Sequence, residues 1–327
     1  MEKSSLLENP LISVIIPTYN RKEMLLQALE SVESQRYNNI EIIVVDDNSS
    51  DGTGNYFENN NKSNIIYRRN ESNKGPGYAR KLGYSISKGK FIVFMDDDDY
   101  YTDFDFFSNA VNIFNSNLNT NLSFVSSNSV IKYEYNNSYK KIKLNVSGLI
   151  KQTDYLNQFQ FKYNKPNSTF TTLFSKQQLE NANFSNMEMV NDSSIYLRSL
   201  LSGNAYIMDD FIGVYRIHNK NISSSIKDDF LIENLKEKKY IHGQIQEKKI
   251  KLELDDWWYK QVFITVKYFI DDTKPNRKSF FKVYRWCINN TTNYKNRVKF
   301  SIVFISDYIY VKFKQIVKKV LRVKNEV

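Results

Sequence analysis

The chain has 327 residues, of which 41% are hydrophobic and 15% aromatic, so it can build a packed core and wholesale disorder is excluded. Its single cysteine, Cys287, excludes an intrachain disulfide and a cysteine-based metal site, and so fits a reducing compartment. The formal net charge of +10 belongs to the C-terminal region, because residues 273–327 carry 14 Lys or Arg against two acids and residues 1–272 sum to −2.

We expect neither a signal peptide nor a membrane-spanning helix. The apolar run near the N-terminus is short, is interrupted by Pro10 and continues into a predicted strand. No stretch reaches the roughly 18 uncharged apolar residues that a membrane span requires. These features predict a soluble protein of the cytoplasm.

Strands and helices alternate through the N-terminal part of the chain. Short apolar runs typical of buried strands lie at residues 11–17, 40–47, 64–70 and 91–96. Amphipathic helices are predicted between them at residues 20–35, capped by Asn20, and at residues 77–89. The alternation predicts an α/β fold with a parallel sheet, whose ligands bind at the carboxyl ends of the strands. Beyond residue 107 the pattern is less regular, and from about residue 226 it is helical to the C-terminus.

Four consecutive aspartates follow the predicted strand in the sequence FIVFMDDDDYY, residues 91–101. In an extended segment Asp96 and Asp98 share one face, and Asp97 points to the other. Converging carboxylates repel each other unless a cation is near, and a divalent ion with oxygen ligands relieves this and can hold a diphosphate. Acids that cap a loop and face water are the alternative. We favour the metal site.

A second acidic cluster, VVDDNSSDGT, ends the strand at residues 40–47. Asp47 can accept hydrogen bonds from a nucleotide base or ribose, while Asp51 or a neighbouring serine caps the next helix. The glycine-bearing sequence NKGPGYAR, residues 73–80, opens a helix and suits phosphates, with Arg80 within reach. The sequence has no P-loop, and no G-x-G-x-x-G follows the first strand, so these two classes of nucleotide site are set aside.

Five segments occur in an order typical of one enzyme family: SVIIPTYNRKEMLLQALESVESQ, EIIVVDDNSSDGT, NKGPGYARKLGYSISKGKFIVFMDDDDYY, VNDSSIYLRSLLSG and YRIHNKNISSS. With this set, residues 10–225 resemble glycosyltransferase family 2, the inverting, metal-dependent transferases with the GT-A fold. The resemblance implies a Rossmann-like, mixed but mainly parallel sheet flanked by helices. It also implies a nucleotide-sugar-binding half at residues 1–107 and an acceptor and catalytic-base half at residues 108–225. A helical, basic C-terminal region follows at residues 226–327.

The resemblance implies a donor site at the ends of the first strands. Asp47 would hydrogen-bond the uracil of a UDP-sugar, Tyr19 would stack nearby, and Pro17 and Thr18 would give backbone contacts. Arg80 would lie near the donor phosphates. dTDP- and GDP-sugars stay open as donors.

The resemblance also implies a D-x-D site for Mn²⁺ or Mg²⁺. Asp98 would be the direct metal ligand with Asp96 beside it, and Asp96 or Asp97 would face the ribose and sugar. His218 matches a histidine that completes the metal and diphosphate site.

Asp192 matches the general base of the family, although the usual Glu-Asp pair is here Asn191-Asp192. A base for direct displacement takes the proton of the acceptor hydroxyl and must be rigidly placed. From the residues alone, an ordinary helix N-cap at Asp192 is an equal alternative.

The C-terminal region predicts an amphipathic basic helix. Its apolar residues fall in a narrow angular sector: Ile302, Ile309, Phe313, Ile316, Val320 and Val323. Basic residues lie opposite: Lys314, Lys318, Lys319 and Arg322. Such a helix is typical of segments that bind an anionic membrane surface, and packing on the catalytic domain is the alternative. A nucleic-acid partner is not expected.

The sequence therefore predicts a metal-dependent inverting glycosyltransferase of the hexosyltransferase type. It would move a sugar from a nucleotide sugar to a hydroxyl of a glycan or lipid-linked acceptor in cell-surface polysaccharide synthesis, peripherally on the inner face of the cell membrane. A nucleotidyltransferase is one alternative, but the glycine-rich loop that it carries after the first strand is missing here. An inactive membrane-bound scaffold of the same fold is another, although every expected acid is present.

Overall fold

The computed structural model describes residues 9–60, 62–218 and 227–324, with side chains up to residue 317. Residues 219–225 of the motif around His218 lie outside these ranges. The predicted amphipathic helix likewise has side chains outside the described set: Val320, Val323, Lys318, Lys319 and Arg322. The chain divides into two compact units, residues 1–218 and residues 219–327.

The first unit is built on one sheet. Its described strands are β1 (Ile12–Thr18), β2 (Ile40–Asp46), β3 (Ile65–Arg69), β4 (Phe91–Phe94), β5 (Tyr100–Tyr101), β6 (Leu122–Tyr133), β7 (Ser138–Ile142), β8 (Gly148–Ile150), β9 (Thr172–Ser175) and β10 (Asn204–Ile217). They run in the order β3-β2-β1-β4-β9-β6-β10-β5, with β7 on β6 and β8 on β10. β2, β1 and β4 are parallel neighbours, as are β6 and β10, whereas β9 is antiparallel to both β4 and β6. The predicted α/β fold with a mixed, mainly parallel sheet is confirmed.

Helices alternate with the strands in the first unit, and the described part of the second unit is built from helices. In the first unit they are α1 (Lys22–Glu33), α2 (Thr53–Asn59), α3 (Pro76–Ile86), α4 (Phe106–Ser116), α5 (Gln152–Gln158), α6 (Lys176–Asn181) and α7 (Asp192–Ser199). In the second unit they are α8 (Asp228–Glu247), α9 (Leu254–Tyr268), α10 (Arg277–Asn289) and α11 (Tyr294–Lys324).

The central strands carry continuous apolar runs because both faces of the sheet are covered. β1 and β4 are buried along their whole length. Gly83 lets α3 approach β1 closely, since a Cβ at this position would lie 2.3 Å from Ile15 Cγ2. The close approach packs the C-terminal half of α3 against β1.

The predicted N-cap of α1 is wrong. Asn20 has a backbone φ of +53°, and its Oδ1 accepts the N–H of Ser50. Asp51 serves α1 instead, because its Oδ2 accepts the N–H of Lys22 at 2.8 Å. Gly52, and not Asp51 or a serine, is the N-cap of α2, although Asp51 Oδ1 accepts the N–H of Thr53, the first residue of that helix. One carboxylate therefore ties the loop after β1 to the loop after β2.

The second unit packs around aromatic side chains of α11. Phe300 and Phe304 are fully buried, and Phe300 stacks on Tyr259 of α9 with ring centroids 5.0 Å apart. The predicted apolar stripe lies elsewhere on this helix, and its described members are 60–66% exposed: Ile302, Ile309, Phe313 and Ile316. α11 therefore packs by one apolar face and exposes another. Among the described residues, no helix has the length and apolar character to cross a membrane.

Lys238 of α8 is buried in this unit without a charged acceptor in its described hydrogen bonds. Its Nζ donates to Thr265 Oγ1 at 2.6 Å and to the Gln261 carbonyl at 3.4 Å, both on α9. Burial lowers the pKa of Lys238 to about 7. In the unfolded chain the pKa of a lysine is about 10.4, so between these values the unfolded chain binds a proton that the folded unit does not.

We expect the free energy of unfolding of this unit to rise as the pH increases from about 7 to about 10, and Lys238→Met to remove that rise. At neutral pH, Lys238→Met should stabilise the unit by about 1–3 kcal/mol, because it removes a buried and poorly paired amine. Lys236→Met, at an exposed site on the same helix, is the control and should change stability by less than about 0.5 kcal/mol. Denaturant unfolding of the full chain, followed by tryptophan fluorescence, measures this because Trp257, Trp258 and Trp286 all lie in this unit.

Candidate active site

The four aspartates form a turn at the carboxyl end of β4. The strand ends at Phe94, and the Asp99 N–H donates to the Asp96 carbonyl at 3.1 Å. The prediction of an extended segment, with Asp96 and Asp98 on one face, is therefore wrong in its geometry. The turn redirects the side chains and brings Asp99 beside Asp96 and Asp98, with carboxylate oxygens within 4.8 Å of one another.

Asp97 is held inside the protein by the loop after β1. Its Oδ2 accepts from Thr18 Oγ1 at 2.6 Å, and its Oδ1 lies 2.6 Å from Arg21 Nη2. Burial raises the pKa of Asp97 to about 7, although the charge of Arg21 opposes this. Because both oxygens are engaged and the residue is fully buried, Asp97 attaches the turn to β1.

Asp98 is shared by two basic side chains. Its Oδ2 lies 2.6 Å from Arg21 Nη1 and 2.9 Å from His218 Nε2, at the end of β10. Burial acts to raise the pKa of Asp98, but the hydrogen bond with His218 and the charge of Arg21 outweigh it, so the pKa lies below its usual range. The predicted metal ligands Asp98 and His218 therefore lie within hydrogen-bond distance of each other.

Asp99 is one of three site residues that the sequence did not single out, with Arg21 and Lys165. Its Oδ2 accepts from Ser168 Oγ at 2.8 Å, and its Oδ1 accepts from the Arg216 N–H at 3.2 Å. Burial, with the charges of Asp98 and Asp96, raises the pKa of Asp99 well above its usual range. The only sequence signal was its place as the fourth acid in the run, because strand alternation would have turned it away from Asp96 and Asp98.

These side chains suit a divalent cation. Asp96, Asp98 and Asp99 offer hard oxygen ligands close together, and His218 stands next to Asp98. Burial raises the pKa of Asp96 in spite of the adjacent Arg80. Bringing these carboxylates together therefore costs energy, which a bound cation would lower.

Arg80 connects this turn to α7. The buried guanidinium lies with Nη2 2.5 Å from Asp96 Oδ1 and 3.5 Å from Asp192 Oδ1. On the other side, Lys165 Nζ lies 3.6 Å from Asp192 Oδ2. Asp96 and Asp192 thereby contact the same nitrogen of one cation.

Asp192 is not the cap of α7. Asn191 is the cap: its side chain accepts the Ser194 N–H, while Ser194 Oγ accepts the Asn191 N–H, each at 3.0 Å. The Asp192 carboxylate, one position further on, therefore faces Arg80 and Lys165. The asparagine that replaces the usual glutamate has a structural use here.

Asp47 lies at the same edge of the sheet, at the end of β2. Its carboxylate accepts from Asn70 Nδ2 and from the backbone N–H groups of Lys74 and Gly75, at 2.6–3.0 Å. The loop that precedes α3 is thus anchored by Asp47. The Asp47 N–H donates to the Thr18 carbonyl at 2.9 Å, which places the 17–19 segment beside it.

The remaining predicted donor residues lie on this segment. Pro17 pairs with Val45 in the β1–β2 register, and the ring of Tyr19 is 44% exposed next to it. The structure therefore brings Pro17, Thr18, Tyr19 and Asp47 to one edge of the sheet.

Residues 13–187 of the chain match the family described as Glycosyl transferase family 2. The chain is 31% identical over 215 residues to the GalNAc(5)-diNAcBac-PP-undecaprenol beta-1,3-glucosyltransferase of Campylobacter jejuni, covering 65% of this chain and 66% of that protein. It is 27% identical over 219 residues to the UDP-Glc:alpha-D-GlcNAc-diphosphoundecaprenol beta-1,3-glucosyltransferase WfaP of Escherichia coli, covering 66% and 80%.

Among solved structures, TarS residues 1–349 of S. aureus in complex with UDP-GlcNAc resembles this chain with a TM-score of 0.69. The match covers 93% of this chain and 92% of that one, at 17% sequence identity. At this identity the likeness shows the fold, and the GT-A fold expected from the sequence is confirmed.

Proposed function

The chain belongs to glycosyl transferase family 2, and from this we propose that it transfers a hexose from a UDP-sugar to a hydroxyl of a lipid-linked glycan in cell-surface polysaccharide synthesis. The observation that carries the proposal is the buried Arg80, whose Nη2 contacts both the metal-site residue Asp96 and the candidate base Asp192. The C. jejuni and E. coli relatives support the acceptor class, since both are named for sugar transfer to undecaprenol-linked diphosphates.

Residues 1–107 bind the donor in this proposal, and residues 108–225 supply the base and the acceptor site. Asp47 accepts from three donors of the loop before α3, and the Lys74 N–H is shared between both carboxylate oxygens at 2.9 and 3.0 Å, so the N–H of uracil would replace the longer of these two contacts. Tyr19 stacks beside the base, the Pro17 and Thr18 backbone contacts it, and Arg80 faces the diphosphate. The UDP-GlcNAc complex of TarS supports a UDP-sugar as donor.

Asp96, Asp98 and His218, with Asp99, are the residues that would hold Mn²⁺ or Mg²⁺. When bound, such an ion neutralises the diphosphate oxygens of the leaving group. Asp97 is buried and holds this turn to β1 through Thr18, so Asp96 is the acid that would face the ribose and sugar.

Transfer is a single displacement with inversion. Asp192 takes the proton from the acceptor hydroxyl, and the hydroxyl oxygen forms a bond to the anomeric carbon of the sugar. The bond from that carbon to the diphosphate oxygen breaks, and its electron pair leaves with the nucleoside diphosphate. The capped start of α7 provides the rigid placement that this geometry needs.

The C-terminal helices are the proposed contact with the inner face of the cell membrane. α11 exposes Ile302, Ile309, Phe313 and Ile316, and residues 273–327 carry a large excess of positive charge. An exposed apolar stripe with basic neighbours suits an anionic lipid surface, and a lipid-linked acceptor would be reached there.

Replacing Asp192 by Asn should lower transfer by at least about 100-fold and leave UDP binding nearly unchanged, because only the proton acceptor is removed. UDP affinity is measured by calorimetry and transfer by release of UDP in the presence of acceptor. Asp209→Asn, at an exposed surface ion pair with Lys143, is the matched control and should behave as wild type. Loss of UDP binding in the Asp192 variant would contradict the assigned role.

Metal dependence is tested with a panel of nucleotide sugars and Mn²⁺, Mg²⁺ or EDTA. We expect slow, Mn²⁺- or Mg²⁺-dependent hydrolysis of one UDP-sugar, and Asp98→Ala should abolish both this turnover and Mn²⁺ binding measured by electron paramagnetic resonance. Asp105→Ala, an exposed acid paired with Arg36, controls for loss of a carboxylate. Undiminished turnover in EDTA would exclude the metal.

Membrane binding is tested by co-sedimentation with phosphatidylglycerol vesicles. The double substitution of Ile309 and Phe313 by Glu should abolish binding, because charge replaces the exposed apolar stripe. Leu118→Glu, an equally exposed apolar position of the first unit, is the control and should leave binding intact. Absence of wild-type binding to these vesicles would reject the membrane contact.

A further inference from the structure

A cavity of about 310 Å³ lies beside the candidate base. It is lined by Gln160, Asn164, Lys165 and Asn167, all from the loop between α5 and β9. Lys165 also lies 3.6 Å from Asp192, so one side chain belongs both to the cavity wall and to the surroundings of the base.

The loop that forms this cavity is held in place at several points. The Asn164 carbonyl accepts from Tyr155 OH at 2.9 Å, and the Asn164 N–H donates to Asn145 Oδ1 at 2.8 Å. Asn167 Nδ2 donates to Ser129 Oγ at 3.0 Å. The cavity is therefore a preformed feature of the first unit, which lowers the cost of ordering it around a ligand.

The wall chemistry suits a saccharide. Three amide side chains offer both donors and acceptors, and an ammonium adds further donors, which matches the alternating hydroxyl and acetamido groups of a sugar ring. The volume is at the lower end of the range of small-molecule sites, about 300–1,000 Å³, and suits a short saccharide.

Lys165 competes with the acceptor for one oxygen of the base. Its Nζ donates to the carbonyls of Pro166 and Asn167 at 2.8 and 3.2 Å and faces Asp192 Oδ2, while Arg80 faces Oδ1. The ammonium thus occupies one of the directions from which an acceptor hydroxyl can approach Oδ2.

We infer that this cavity is the subsite for a sugar of the acceptor, and that Lys165 is a positioning residue that restrains Asp192 until that sugar enters and takes up the ammonium. The inference rests on the proposed function. The restraint by Lys165 protects the sugar donor from hydrolysis. In the unwanted reaction water replaces the acceptor: its proton goes to Asp192, its oxygen bonds to the anomeric carbon, and the nucleoside diphosphate leaves.

Lys165→Met should therefore raise hydrolysis of the UDP-sugar without acceptor by about tenfold or more, because water gains access to an unrestrained base. Hydrolysis is measured with UDP-glucose and UDP-GlcNAc. Lys162→Met, on the same loop with its ammonium over the Tyr163 ring, is the matched control and should match wild type. Adding Asp192→Asn to Lys165→Met should remove the gain, and Lys165→Arg should keep hydrolysis low.

The subsite itself is tested with GlcNAc-diphosphoundecaprenol in detergent as acceptor. Asn164→Ala should raise the acceptor KM by about tenfold, which corresponds to about 1.4 kcal/mol. Asn60→Ala, in a cavity of about 290 Å³ that contains none of the site residues, is its control and should leave the acceptor KM unchanged.

Hydrolysis by Lys165→Met at or below the wild-type rate, in a variant that still binds UDP with wild-type affinity, overturns the restraint. An equal rise in Lys162→Met overturns it too, because a general charge effect would then explain the gain. An unchanged acceptor KM in Asn164→Ala overturns the subsite. A wild-type enzyme with neither transfer nor hydrolysis is a different result, which refutes the proposed function and the inference with it.

Discussion

Electrostatic repulsion among four consecutive carboxylates is the constraint that organises the first unit. A turn of this composition is stable at a sheet edge only if other parts of the chain bring positive charge or hydrogen-bond donors to it. Arg21 arrives from the loop after β1, Arg80 from α3 and His218 from the end of β10. The loops around the turn are thereby fixed by the acids that they neutralise, and the same contacts bring the loop after β1, α3 and the end of β10 together at the end of β4.

Much of this arrangement follows from the sequence alone. Continuous apolar runs identify β1, β2 and β4, and their alternation with helices predicts parallel pairing. Asp47 and the aspartate run could therefore be expected at the same edge of the sheet. The insertion of β9 between β4 and β6 could not, because an antiparallel pairing between distant segments leaves no local signal. Asp99 was missed for a related reason, since a turn breaks the alternation from which side-chain direction was inferred.

The C-terminal helix shows a different limit of sequence patterns. α11 is apolar on more than one face, and the face that carries Ile302 and Ile309 gives the clearer helical periodicity. The structure instead buries Phe300 and Phe304, which stack with aromatic rings of α9. Periodicity identifies an apolar face of a helix. Which apolar face becomes buried depends on the shape of the helices that pack against it.

The hydrogen bond between Asp99 and Ser168 has a consequence for how such an enzyme diversifies. Ser168 ends the loop that lines the amide-rich cavity, and Asp99 fixes that end to the aspartate turn. Side chains at positions 160–164 can therefore change while Ser168 keeps the end of the loop attached to the aspartate turn. Under the proposed function, we expect that grafting residues 160–164 between relatives changes the acceptor that is glycosylated, while Lys165 and the aspartate turn are kept.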